Sequence, residues 1–144
     1  MENAQGNKKL KFGLVGRDIS YSFSRGYFAA KFKAENLAHS YVNFDLQSIN
    51  ELYDIIKNTT NLKGLNVTIP YKEDVISILD GLNKRALKIG AVNTIRITHH
   101  QKLIGYNTDY YGFKNSLKPH LKKHHKTALI LGTGGASKAI AYAL

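Results

Sequence analysis

The sequence predicts an α/β fold: a three-layer α/β/α domain on a mostly parallel sheet with one antiparallel strand. Three observations carry this. Short segments rich in Val, Ile and Leu alternate with longer segments whose apolar residues recur at helical spacing. Four residues, His99-His100-Gln101-Lys102, turn between or near two strand-like segments, which makes that pair an antiparallel hairpin. The last stretch then runs from an apolar strand through clustered glycines into a helix.

Taken in order, residues 11–16 read as a short buried strand closed by Gly16, and residues 17–24 as a loop. Residues 25–37 read as a helix, with Tyr27, Phe28, Phe32 and Leu37 on one side. Ser24 is placed to be its N-cap. With Ser22 it is equally placed to hold a carboxylate or phosphate at the helix N-terminus. Arg25 in the first turn opposes the helix dipole, a conflict that a bound anion would relieve.

Residues 40–46 read as a second strand and 49–57 as a second helix. In residues 62–69, Leu65, Val67 and Ile69 alternate with Asn66 and Thr68, so apolar and polar side chains fall on opposite faces of a strand. Pro70 ends the pairing, since it has no N–H for a ladder. Lys72 follows just beyond the carboxyl end of the strand, where open α/β sheets place their ligands.

Residues 73–79 read as a helix with acidic residues in its first turn, ended by Gly81, and 83–89 as a short helix ended by Gly90. Residues 91–98 and 102–106 form the hairpin strands. The two histidines at its tip lie beside no carboxylate, and we expect no metal there. Asn107-Thr108-Asp109 leads into a helix over 110–117, with Thr108 or Asp109 able to cap it and Pro119 limiting it.

Residues 127–131 read as a strand running into Gly132-Thr133-Gly134-Gly135-Ala136-Ser137 and then a helix. That order is the first phosphate-binding turn of a Rossmann-type dinucleotide fold. Ser137 stands where the third glycine of the usual pattern falls, so a tight turn into a packed helix is the plainer alternative. Leu144 lies within the helix with no stop signal. We therefore expect a truncated dinucleotide domain over 127–144, a linker over 118–126, and a substrate domain over 1–117.

The composition narrows the function. There is no cysteine, which excludes disulfides and thiolate metal sites and fits a cytoplasmic location. No apolar run approaches a bilayer span, and the start of the chain is polar and basic, unlike an export signal. The net charge of +11 favours acidic ligands. The positive residues are spread along the chain and cluster only over 118–126, so we expect no nucleic-acid groove. A non-catalytic module for a small anion remains the alternative to an enzyme.

Three motifs in this order, Asn66-Val67-Thr68-Ile69-Pro70-Tyr71-Lys72, Gly90-Ala91-Val92-Asn93-Thr94 and Asn107-Thr108-Asp109, resemble the shikimate dehydrogenase family of aromatic amino-acid synthesis. The resemblance runs from about residue 12 to residue 144. It implies NADP-dependent reduction of 3-dehydroshikimate to shikimate. Lys72 then matches the catalytic lysine and Asp109 its carboxylate partner. Ser22 and Ser24 match the hydroxyls on the substrate carboxylate. Thr68, Lys72, Asn93 and Asp109 match the groups around the ring, and Gly132, Thr133, Gly134, Gly135, Ala136 and Ser137 match the NADP loop.

The chemistry suits these residue types, because reducing a ketone requires a proton donor at the developing alkoxide. The first loop departs from the family: Asp18, Tyr21 and Arg25 stand where it usually has Pro, His and Pro. That leaves quinate as an alternative ligand. With most of a cofactor domain missing, we expect the 144-residue chain alone to be inactive.

Overall fold

A computed structural model describes residues 9–144; the polar start at residues 1–8, read as unlike an export signal, lies outside the described residues. Six strands form one sheet: β1 (Lys11–Gly16), β2 (Ser40–Asp45), β3 (Leu62–Val67), β4 (Gly81–Leu82), β5 (Thr94–Ile97) and β6 (Leu103–Tyr106). Their spatial order is β2-β1-β3-β5-β6-β4. β1 pairs in parallel with β2 and β3, and β6 with β4, while β5 runs antiparallel between β3 and β6. The expected single antiparallel strand is therefore β5.

Alternation along the strands divides the core between the two faces of the sheet. Val15, Leu65, Val67, Ile95 and Leu103 pack on one side with Leu52, Val75 and Ile78. Leu14 and Tyr41 point the other way, onto Phe32 of α1 (Ser24–Ala34). Helix α2 (Leu52–Asn58) follows a 3-10 turn, Ile49–Glu51, that opens with a capping box between Ser48 and Glu51. Helix α3 (Lys84–Ile89) is capped by the Asn83 side chain and closed by Gly90 in the left-handed region. Helix α4 is Asp109–Leu117, and α5 is Gly135–Ala143.

Several elements differ from the sequence expectation. The third strand stops at Val67, short of the expected end at 69, so Ile69 is 69% exposed rather than on the apolar face, and the first hairpin strand is Thr94–Ile97 within the expected 91–98. Residues 74–78 form a 3-10 stretch where an α-helix was expected over 73–79; its buried Val75 and Ile78 stand three residues apart, the repeat of a 3-10 turn. Directly after it comes β4, too short for a periodic signal. Helix α1 stops at Ala34, short of the expected Leu37: Asn36 turns left-handed and the Leu37 N–H returns to the Phe32 carbonyl. Residues 127–131 are not a strand. Leu129 and Leu131 are each 86% exposed, and no described strand lies beside them to complete a ladder.

The glycine turn and α5 are formed, and α5 docks on the rest of the chain. Ala139 is fully buried against Ile89, Ala91 and Tyr110. Tyr142 meets Tyr110 edge to face, with centroids 5.4 Å apart. Among the described residues no helix is long and apolar enough to cross a membrane.

Candidate active site

The sheet brings the three motifs to one edge. The parallel strands β1 and β3 end at Gly16 and Val67, so the loop over 17–23 and the turn carrying Lys72 leave from the same side. Because β5 is antiparallel, with Thr94 opposite Asn66, its beginning lies there too. Tyr106, the last residue of β6, is opposite Thr94, which delivers Asp109 to the same edge. Lys72 and Asp109, 37 residues apart in sequence, thus meet at the carboxyl ends of the parallel strands.

The centre is an ion pair. The Lys72 Nζ donates to the Asp109 Oδ2 at 2.6 Å, with the lysine side chain 16% exposed. The other carboxylate oxygen, Oδ1, accepts from the Asn93 Nδ2 at 2.7 Å. Asn93 is itself fixed: its Nδ2 also donates to the Thr108 hydroxyl at 2.8 Å, and its Oδ1 accepts from the Thr108 N–H at 2.9 Å. With both carboxylate oxygens engaged, the carboxylate plane is set, and it aims the ammonium.

The local sequence explains how Asp109 is held. Thr108, one of the two residues expected to cap α4, holds the N-cap position but makes no side-chain cap bond; Asn107 supplies the capping oxygen instead. Its Oδ1 accepts from the N–H groups of Asp109 (3.0 Å) and Tyr110 (3.4 Å), while its Nδ2 donates to the Ala91 carbonyl at 3.0 Å. Asn107 is 4% exposed, so α4 is anchored to the segment that supplies Asn93. The Thr108 side chain is bound to Asn93 and is not available as a cap.

A hydrogen-bonded chain runs from this pair toward α1. Thr94 donates to the Asn93 Oδ1 at 3.0 Å, the Asn66 amide donates to the Thr94 hydroxyl at 3.4 Å, and the Tyr41 hydroxyl donates to the Asn66 Oδ1 at 2.8 Å. Burial pushes the Tyr41 phenol up to about 12, and a hydrogen bond with Ser24 offsets that in part. Tyr41 is stacked on Phe28 with centroids 4.4 Å apart. Neither Tyr41 nor Asn66 was among the expected site residues. The polar face of the third strand held the signal for Asn66; Tyr41 had none, since it reads as a core residue of a strand.

The remaining expected residues line the same edge. Ser24 is the first residue of α1 and not its N-cap; that place falls to Phe23, whose side chain makes no cap bond. The Ser22 hydroxyl accepts from the Ser24 N–H at 3.3 Å, closing the turn into the helix. The Thr68 N–H donates to the Val15 carbonyl, and its methyl group fills the space in front of Gly16. The loop between is latched by Asp45, whose carboxylate accepts from the N–H groups of Asp18 and Ile19. Both serines are half-buried, and Arg25 is exposed.

The glycine turn lies against this site. Gly132 has a φ of +114°, a conformation that favours glycine. Gly132, Thr133 and Gly134 are exposed, and a Cβ on Gly134 would meet nothing. The first N–H groups of α5 lack partners within the helix, and the turn before them carries little side-chain bulk. This open turn fits an anionic phosphate group. No group of three or more His, Asp or Glu residues is arranged to hold a metal among the described residues.

Residues 14–95 match the family described as "Shikimate dehydrogenase substrate binding domain". A shikimate dehydrogenase (NADP(+)) of Clostridium botulinum strain Hall is 44% identical over 135 residues, covering 92% of this chain and 52% of its own. Shikimate dehydrogenase 1 of Peptoclostridium difficile has a similar structure, with a TM-score of 0.83 and 39% identity over 93% of this chain and 50% of its own. A shikimate 5-dehydrogenase of Thermus thermophilus, solved with NADP(H) and shikimate, gives a TM-score of 0.81 and 34% identity over 93% of this chain and 51% of its own. The chain spans about half the length of the curated relatives it matches.

Proposed function

The chain belongs to the family of shikimate dehydrogenase substrate-binding domains, and on that premise we propose that it forms the substrate side of an NADP-dependent reduction of 3-dehydroshikimate to shikimate. The observation that carries the reading is the Lys72–Asp109 pair at 2.6 Å, braced by Asn93 and adjoining a glycine turn. A core salt bridge would need no open edge beside it, and a nucleic-acid module would need no such half-buried triad.

In this reading the substrate carboxylate lies toward Ser22, Ser24 and the N-terminus of α1, where hydroxyls and N–H groups donate to an anion. Thr68, Asn93 and Asp109 offer short polar groups to the ring hydroxyls. Lys72 stands at the ketone: its ammonium stabilises the oxygen as negative charge develops and delivers the proton that completes the alcohol. Asp109 keeps the ammonium aimed and balances its charge. The turn Gly132 to Ser137 holds the phosphate portion of NADP, which when bound supplies the hydride to the carbonyl carbon. One hydride at carbon and one proton at oxygen convert the ketone to the hydroxyl. We assign the substrate-domain role to residues 1–117 and the beginning of the cofactor domain to residues 127–144.

A calorimetric titration of the 144-residue chain with shikimate and with quinate tests the proposal. Saturable shikimate binding is expected. Lys72→Ala and Asp109→Ala each remove a charge-assisted hydrogen bond, so both should weaken it by roughly tenfold or more. Quinate binding in preference to shikimate would shift the assignment to the quinate branch. Binding that neither variant alters would exclude these two residues from the site.

A further inference from the structure

The need for glycine at position 135 comes from one direction only. Its φ lies outside the left-handed region, so its backbone suits any residue. A Cβ there would lie 2.7 Å from the Lys72 Cβ and 3.1 Å from the Ala91 Cβ. The first of these is closer than real Cβ atoms come, and the backbones of both neighbours are tied, which leaves the lysine stem as the part that can move. The Lys72 carbonyl accepts from the Val92 N–H at 2.7 Å, and Ala91 is fully buried with its carbonyl bonded to Asn107. One residue earlier in the same turn, a Cβ on Gly134 would enter open space. Beside this contact, the Lys138 Nζ of α5 meets the Glu73 Oε2 at 2.5 Å, tying the helix to the residue that follows Lys72.

We propose that Gly135 is a positioning residue for Lys72: its bare Cα lets the start of α5 lie against the lysine stem, and this contact holds the ammonium on Asp109. This rests on the reading of Lys72 as the proton-handling group and adds a role for the glycine turn beyond phosphate binding. The turn and the lysine then behave as one packed unit, so a change at one is felt mechanically at the other. A methyl group at 135 pushes the stem aside and lengthens the bond to Asp109.

Competitive acetylation by limiting acetic anhydride, read lysine by lysine by mass spectrometry, tests this on the 144-residue chain without cofactor. In Gly135→Ala, Lys72 is expected to label several-fold faster than in the native chain, while hydrogen exchange over α5 stays protected and Gly134→Ala labels Lys72 at the native rate. Should Gly135→Ala fail to fold, Gly135→Ala with Ala91→Gly, compared with Ala91→Gly alone, removes the 3.1 Å contact and keeps the one to Lys72. Native labelling of Lys72 in a folded variant overturns the proposal. So does faster labelling accompanied by lost protection of α5, which would make Gly135 a docking residue only. Shikimate titration of Lys72→Ala is scored separately: unchanged binding there defeats the functional reading and leaves the labelling result to be judged alone.

Discussion

At the scale of single residues, the site is a set of side chains that hold one another. Tyr41 illustrates the energetics. Its hydroxyl donates to the Asn66 Oδ1, so Tyr41→Phe leaves a part-buried acceptor without that donor and should cost about 1–3 kcal/mol of stability in denaturant unfolding. The pH dependence has a definite sign. The folded phenol is raised from 10.0 to about 12, so the folded state retains the proton where the unfolded chain loses it. This contribution is fully present below pH 10.0 and is lost as the pH rises through about 12. Across that window the native chain should lose stability faster than Tyr41→Phe; parallel slopes would show that the phenol is not buried as described. Lys72 was legible from the polar strand face that leads to it, whereas Asn93 and Asp109 were read only through the resemblance of their motifs to a known family. Tyr41 was not legible, because an aromatic in a strand reads as core, and the capping by Asn107 was not, because Thr108 and Asp109 beside it are equally good caps by residue type. Their partners, Asn66 and Ala91, are distant in sequence.

At the scale of elements, segments with strong periodicity and punctuation followed the sequence closely. β1 has the expected bounds, and Gly90 ends α3 as expected. Elements shaped by their neighbours did not. Residues 127–131 have the composition of a strand, but a strand exists only with a partner. The 3-10 stretch 74–78 is set by the need to bury Val75 and Ile78 and still reach β4. β4 and β6 meet closely at Gly105, where a Cβ would lie 2.6 Å from Leu79, 2.7 Å from Leu82 and 2.8 Å from Val92. Gly105→Ala should therefore destabilise the chain by about 1–3 kcal/mol through overpacking. Chemical denaturation checks this. A midpoint equal to that of the native chain would mean that β4 is free to move away from the sheet.

At the scale of the whole molecule, sheet order converts a linear set of motifs into a site. One antiparallel strand, β5, returns Asn93 to the edge where β1 and β3 end, and β6 then brings Asp109 beside it. The +11 charge is distributed along the chain and supplies a general attraction for acidic ligands. Docking of α5 joins the glycine turn to this edge, so the turn and the Lys72–Asp109 pair share one face. The most direct test of that arrangement is a 15N-resolved NMR titration of the chain with shikimate. The account predicts saturable shifts confined to the amides of Ser22, Ser24, Thr68, Lys72, Asn93 and Asp109 and their immediate neighbours. Shifts clustered instead at the opposite end of the sheet, around His99 and Gln101, or a folded chain with no shifts at saturating shikimate, would contradict it.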